Sequence, residues 1–88
     1  MLEWDEHKRA ANIEKHGLDF TRAELLFDGR PSIDIPCSFR AEPRLLTIGV
    51  IDGVFVTLVW TWRGRHRRAI SFRRARHGER QAHRQLLD

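Results

Sequence analysis

The sequence LLTIGVIDGVFVTLVWTW, residues 45–62, decides the fold. Two runs of β-branched and aromatic residues flank Asp52-Gly53, a pair that readily supplies the positive φ angles of a type I′ turn. The pattern therefore predicts a central antiparallel hairpin. Because side chains alternate between the two faces of a strand, one face of the second strand is expected to carry the larger apolar residues, Val54, Val56, Leu58, Trp60 and Trp62.

Two helices are predicted before the hairpin. Asp5 is a suitable N-cap and Gly17 suits the left-handed position that ends a helix, which indicates a first helix over residues 5–16. A second helix is predicted over about residues 20–28. On the first helix, one polar stripe is expected to face solvent or a ligand: Lys8, Asn12 and Lys15.

The remaining segments complete the fold. Residues 32–35 alternate between polar and apolar, which suits a short edge strand stopped by Pro36, and residues 37–43 are expected to form a loop. A further strand is predicted over residues 66–72, and a short helix from Arg76 onward. Helices followed by consecutive antiparallel strands indicate an α+β fold. We expect a single domain across all 88 residues, with two N-terminal helices, a sheet of three to four strands and a C-terminal helix.

Charge is divided unevenly along the chain. Residues 1–43 hold six Lys or Arg and nine Asp or Glu, a net charge of −3, whereas residues 44–88 hold ten Arg and three acidic residues, a net charge of +7. Such a basic surface attracts phosphate groups or an acidic partner, or serves only solubility. The lone Cys37 and the absence of a signal-peptide pattern or a long apolar run predict a cytoplasmic protein without a membrane segment.

Arginine dominates the segment after the hairpin. The planar guanidinium group donates two parallel hydrogen bonds and keeps its charge, so this cluster predicts phosphodiester binding. Strand alternation predicts that Arg67 and Arg73 share one face with Ser71, and that Arg68 lies on the other face. The cluster has seven members and no acidic residue: Arg63, Arg65, Arg67, Arg68, Arg73, Arg74 and Arg76.

Cleavage of RNA without a metal requires activation of the 2′-hydroxyl, stabilisation of charge on the phosphorane, and protonation of the leaving oxygen. Arginine suits the second task, and His or Lys suits the other two. His16, beside Lys15 at the end of the first helix, is a candidate acid–base group, although the helix dipole alone also favours a histidine there. Trp60 is a candidate for stacking on an unpaired base, with core packing as the alternative. Metal-ligand spacing is not visible, so we expect no metal or cofactor.

Several short motifs stand in a fixed order along the chain: Glu3-Trp4-Asp5, Lys8, Asn12, Lys15-His16-Gly17, Phe20, Arg44, Thr61-x-Arg63-Gly64, Arg68-x-Ile70-Ser71-x-Arg73-x-Ala75 and Glu79-Arg80. Through these residues the sequence resembles the BrnT family of bacterial toxins along nearly its whole length. In the family's last helix, Thr often precedes a Glu by three residues as a capping box, whereas Arg76 stands there in this chain and leaves Glu79 without that partner.

The resemblance implies a RelE-like fold and a metal-independent endoribonuclease, the toxin of a type II toxin–antitoxin system, which inhibits translation by cleaving RNA. It also implies an antitoxin partner with a ribbon-helix-helix DNA-binding part. The toxin–antitoxin complex would repress its own operon, so the toxin would meet operator DNA only through that complex.

Candidate site residues follow from matching positions and from the basic cluster. Arg63, Arg68 and Arg73 are expected to clamp phosphate, and His16 or Lys15 to transfer protons. The catalytic set comprises His16, Lys15, Arg63, Arg68, Ser71 and Arg73. The RNA-binding set comprises Lys8, Arg44, Arg65, Arg67, Arg74 and Trp60.

Two other functions are compatible with the same residues. A nucleic-acid-binding module without catalysis would use the arginines on phosphate in the same way. A protein-interaction domain would use the basic face to receive an acidic helix. The sequence does not separate these alternatives from a ribonuclease.

Overall fold

The computed structural model, which describes residues 1–87, contains one five-stranded sheet and three α-helices. In chain order the elements are β1 (Leu2–Glu3), α1 (Glu6–His16), α2 (Phe20–Ala23), a 3-10 helix (Glu24–Phe27), β2 (Ser32–Phe39), β3 (Glu42–Ile51), β4 (Val54–Arg63), β5 (His66–Arg74) and α3 (His77–Leu87). The strand order across the sheet is β1-β5-β4-β3-β2. The α+β architecture is confirmed, whereas the predicted count of three to four strands was too low.

The central hairpin is confirmed. Asp52 and Gly53 both have positive φ, 51° and 77°, as a type I′ turn requires. The predicted apolar face of β4 is the core face at Val56, Leu58 and Trp60, each at most 2% exposed. The segment with α2 and the 3-10 helix covers this face with the buried side chains of Phe20, Ala23 and Leu26.

The strand β2 is longer than predicted. It was expected to stop at Pro36, but it continues to Phe39 and pairs with β3 along its whole length. Pro36 is tolerated because β2 is an edge strand, as predicted, and a proline without an N–H group costs least at an edge. The predicted loop over residues 37–43 is instead a second tight hairpin, in which Arg40 and Ala41 take positive φ without a glycine.

The helices before the sheet follow their capping signals. The Asp5 side chain accepts hydrogen bonds from the backbone N–H groups of His7 and Lys8, and Gly17 ends α1 with φ of 70°. The second predicted helix is divided, because α2 ends at Ala23 and the chain continues as a 3-10 helix. The two-residue strand β1 was not predicted; it pairs in parallel with β5.

The buried Asn12 joins α1 to the sheet. Its side-chain amide donates to the backbone O atoms of Leu18 and Phe72 (both 2.8 Å), and its Oδ1 accepts from the Phe72 N–H (3.0 Å). Asn12 thus occupies the free edge of β5 in the way a neighbouring strand would. The expectation that this residue faces solvent or a ligand was wrong.

A β-bulge in β5 changes which side chains share a face. Val59 pairs with Ser71 but Trp60 pairs with Ala69, so Ile70 is an extra residue in β5. Ala69 and Phe72 both point into the core although they are three positions apart, being 1% exposed each. The bulge places Arg68 on the same face as Ser71 and Arg73, opposite the core, and it leaves Arg67 and Arg74 on the core face. The predicted alternation of these arginines was therefore wrong.

The helix α3 packs on the sheet face opposite α2 and the 3-10 helix. His83 is 8% exposed and stacks edge-on against Phe55, with 5.4 Å between the ring centroids. Glu79, one turn earlier, reaches Thr57 on β4. The packed side of α3 is formed by Glu79 and His83, whereas Leu86 near its end is 69% exposed.

Candidate functional site: a basic groove

A groove lined by basic side chains runs between α1 and the face of the sheet opposite the core. It consists of two cavities of about 260 and 400 Å³, which share Lys8 and Ile70 as walls. We call this the basic groove. Seven of the predicted site residues line it: Lys8, Lys15, His16, Arg44, Arg63, Arg68 and Ser71.

Each wall of the groove has a structural origin. Lys8 and Lys15 lie on the side of α1 that Asn12 fixes against β5, so that hydrogen-bonded contact also sets the position of both lysines. Arg68 and Ser71 reach the same groove because the bulge at Ile70 turns Arg68 to this face. The groove therefore depends on one helix–strand contact and one irregularity of the sheet.

The charge in the groove is largely uncompensated. Within residues 1–87, the side chains of Lys8, Lys15, Arg63 and Arg68 form no salt bridge with a carboxylate. Arg44 is the exception, because its Nε atom lies 2.7 Å from Oε1 of a partly exposed glutamate, Glu42. Positive groups that lack carboxylate partners create a potential that attracts phosphate.

His16 lies at the helix end of the groove. Partial burial, together with the positive charges of Lys15 and Arg73, lowers the pKa of His16 below its ordinary value of 6.5. The imidazole is therefore mainly neutral at pH 7. A neutral imidazole beside cationic groups can accept a proton, which is the property that a general base requires.

Arg73 is held by a carboxylate rather than free in the groove. Its Nη1 and Nη2 atoms donate to Oε1 and Oε2 of Glu79 at 2.8 and 2.9 Å, and the two side chains are only 13% and 12% exposed. Such a two-pronged pair fixes the guanidinium plane. After burial and the charge of Lys15, the positive charge of Arg73 is a further cause of the lowered pKa of His16.

Glu79 accepts two further hydrogen bonds, from the hydroxyl of Thr57 and from the backbone N–H of Arg76. The bond from Arg76 is one half of a capping box, so the absence of Thr at that position does not leave Glu79 without a capping role. Burial by itself would raise the pKa of Glu79, but the donors of Arg73, Arg76 and Thr57 outweigh it and lower the pKa to about 2.

Four predicted site residues lie outside the groove. Arg67 is on the core face, where its guanidinium stacks 4.1 Å from the Phe27 ring centroid. Arg74 lines a separate cavity beside Asp52. Arg65 is exposed in the turn between β4 and β5.

Trp60 is the fourth of these residues. It is 2% exposed and donates its indole N–H to Thr47 at 2.7 Å, so it is a core residue and does not present a surface on which a base could stack.

Asn12 holds α1 against β5 and Glu79 holds Arg73, and neither was identified from the sequence as part of the candidate site. Asn12 was interpreted as part of a polar stripe, and Glu79 as part of the last helix. A buried asparagine on a helix leaves no periodic signal, because its partners are backbone atoms of a strand 60 residues away. Glu79 is three residues from Arg76, and that capping-box spacing was the available signal.

Among residues 1–87, His, Cys, Asp and Glu side chains form no cluster of three that could hold a metal ion. In the same part of the chain, none of the helices has the length and apolar character needed to cross a membrane.

The fold and the groove define a small α+β protein with a cationic cleft and an adjacent neutral histidine, a combination suited to binding and acting on a phosphodiester. Residues 4–79 match the family model described as the ribonuclease toxin BrnT of type II toxin–antitoxin systems, and the chain therefore belongs to the BrnT family. This membership makes it a ribonuclease toxin by family, with RNA as substrate and an antitoxin as partner. A search among curated proteins found no match.

Proposed function

We propose that the basic groove binds an RNA strand and cleaves it without a metal ion, and that this cleavage inhibits translation. The observation that carries the proposal is the meeting of Arg68 and Ser71, on one face of β5, with Lys8 and His16 from α1 in a single groove. Cationic, acid–base and hydroxyl groups would then all face one bound phosphodiester.

Arg63 and Arg68 are assigned to the phosphate. Their guanidinium groups donate paired hydrogen bonds to the non-bridging oxygens, and they stabilise the extra negative charge of the phosphorane better than that of the ground state. Lys8, on the opposite wall, adds a point charge, and the Ser71 hydroxyl donates one more hydrogen bond. Arg73 contributes its positive charge without contacting the phosphate, since Glu79 holds its guanidinium.

The proton transfers are assigned to His16 and Lys15. His16 takes the proton of the 2′-hydroxyl as that oxygen attacks phosphorus, and the bond between phosphorus and the 5′-oxygen breaks. Lys15 gives a proton to the departing 5′-oxygen. The products are a 2′,3′-cyclic phosphate and a 5′-hydroxyl. His16 then releases its proton to solvent, and Lys15 takes one back from solvent, which restores both groups.

The proposed binding of an antitoxin also rests on the positive charge of the groove. We propose that an antitoxin with a ribbon-helix-helix DNA-binding part covers the groove with an acidic segment, and that the complex represses its own operon. Charge complementarity with the uncompensated cations would orient this segment. On this proposal the fold is RelE-like, residues 1–88 form one toxin domain, and the toxin acts in the cytoplasm, where its RNA substrate is found.

Two variants test the proposed ribonuclease. Arg68→Ala removes a phosphate ligand and His16→Gln removes the base, whereas Arg22→Ala removes an exposed arginine outside the groove and serves as a matched control. The purified proteins would be incubated with RNA in the presence of EDTA. In parallel, growth would be followed after induction of each protein in bacteria.

We expect RNA cleavage and growth arrest with the wild type and with Arg22→Ala, and a loss of about 100-fold or more in cleavage rate with each groove variant. Wild-type protein that binds RNA without cutting it would favour the non-catalytic nucleic-acid-binding module. Groove variants that cut RNA as fast as the wild type would place the active site elsewhere.

A further inference from the structure

An exposed tryptophan of the core face lies at the end of β4, where that face meets the basic groove. Trp62, near the end of β4, is 55% exposed, although exposed tryptophan is unfavourable in water. Its ring is held in place by Trp60, whose ring centroid lies 5.0 Å away at an angle of 81°, and by the Arg67 guanidinium, 5.2 Å from the Trp62 centroid. The ring is therefore both fixed in position and largely open to a ligand.

Beside Trp62 lies a second depression that the proposed cleavage does not use. It has a volume of about 410 Å³, within the range of ligand sites, and apolar side chains form most of its walls. Four of its lining residues also line the basic groove: Pro43, Arg44, Thr61 and Trp62. Its other lining residues are Pro36, Cys37 and Leu45.

We propose that this depression is a nucleobase subsite, in which one unpaired base of the RNA stacks on Trp62 while the phosphate next to it lies in the basic groove. This inference rests on the proposed function. It adds a base-binding site to the phosphate-binding groove and makes Trp62 a substrate-binding residue.

The way in which the depression joins the basic groove indicates that a nucleotide occupies both. A nucleotide couples an anionic phosphate to a flat, largely apolar ring, and here a cationic groove shares a wall with a cavity lined by flat proline and tryptophan side chains. Arg44 belongs to both, so it can contact the phosphate at the junction. Stacking on an aromatic ring tolerates any base, which suits recognition of a single strand.

The first test measures RNA affinity. The ligand is a short single strand in which every 2′-hydroxyl is methylated, so that it binds without being cleaved. Trp62→Ala should weaken binding about 5- to 150-fold, the range expected for the loss of one stacked base, while Trp62→Phe should stay within about threefold of the wild type. Leu86→Ala, which shortens another exposed apolar side chain, on α3, is the matched control and should bind like the wild type.

The second test locates the base. Abasic sites are introduced at each position of the methylated strand in turn. One position should weaken binding to the wild type yet have little further effect on Trp62→Ala, because both changes remove the same contact. The affinity of Trp62→Ala should keep the wild-type dependence on salt, since that dependence reports the phosphate contacts.

Cys37 provides an independent measurement, because it is exposed, lines the depression and is the only cysteine in the sequence. Saturating methylated RNA should slow its alkylation by iodoacetamide several-fold, and the abasic strand should protect it less.

The outcomes separate this inference from the proposed function. If Arg68→Ala weakens RNA binding but Trp62→Ala behaves like Leu86→Ala, the groove binds RNA and the base subsite is wrong. If neither variant affects RNA binding, the proposed function fails as well. If Trp62→Ala binds RNA normally but the antitoxin no longer restores growth, the depression receives a protein segment and our inference is overturned.

Discussion

Replacing Glu79 by Gln should lower the free energy of unfolding by about 3 kcal/mol at pH 7. The donors around this carboxyl lower its pKa from the ordinary value of 4.5 to about 2, and a shift of that size corresponds to about 3 kcal/mol of stability from the ionised form. Its side chain is only 12% exposed, so solvent screens the interaction little. This amount already includes the cost of leaving the Arg73 guanidinium buried without a counter-charge, because the interaction with Arg73 is one of the causes of the lowered pKa.

The pH dependence has a definite sign. Because the pKa of Glu79 is lower in the folded than in the unfolded protein, its contribution is complete above the unfolded value of 4.5 and is lost as the pH falls toward 2. The difference in stability between the wild type and Glu79→Gln should therefore be large at pH 7 and should shrink on acidification through this window. Other carboxylates with lowered pKa values, such as Asp19, affect both proteins alike.

Urea denaturation followed by circular dichroism, at pH 7 and at several lower values, measures this difference. Glu42→Gln is the matched control, because it removes a carboxylate from a more exposed arginine pair and should cost no more than about 1 kcal/mol. If Glu79→Gln were as stable as Glu42→Gln at pH 7, or if its deficit were independent of pH, the reasoning about the buried pair would be refuted.

Three more predictions concern other parts of the fold. Asn12→Ala should cost about 2–4 kcal/mol in urea denaturation, since it leaves buried backbone groups at the edge of β5 without partners; a cost below about 1 kcal/mol would mean that water replaces the amide. The wild-type cleavage rate, measured against pH, should fall as the pH drops through the lowered pKa of His16, below 6.5. If the cleavage rate of His16→Gln fell in the same way at low pH, a group other than His16 would be responsible for the fall. Gly49→Ala should lower stability by about 1–3 kcal/mol in thermal melting, because its Cβ would lie 2.7 Å from Leu26 Cδ2. Gly78→Ala, where a Cβ meets open space, should not destabilise, and equal losses in the two variants would exclude a packing effect.

Features coded by neighbouring residues were predicted from the sequence. The Asp52-Gly53 turn, the Asp5 cap and the Gly17 helix end each depend on backbone angles and hydrogen bonds within a few residues. The resemblance to BrnT toxins was also recovered from local motifs in their correct order, and the family is confirmed. The tight turn at Arg40-Ala41 was missed because neither residue is one that prefers positive φ.

The arrangement of the candidate site could not be predicted from neighbouring residues, because it depends on contacts between residues that are far apart in the sequence. The sequence shows that seven arginines lie close together in the chain, but the pattern alone did not determine which of them share a face. One extra residue in β5, Ile70, reverses the alternation of side chains between the two sheet faces and puts Arg68 on the same face as Ser71. Arg73 is not free in the groove because it forms an ion pair with Glu79. Turns and caps are decided by energies within a few residues, and the sequence by itself determined them. The bulge, the ion pair and the contact of Asn12 with β5 depend on which distant atoms meet, and only the tertiary structure decided those.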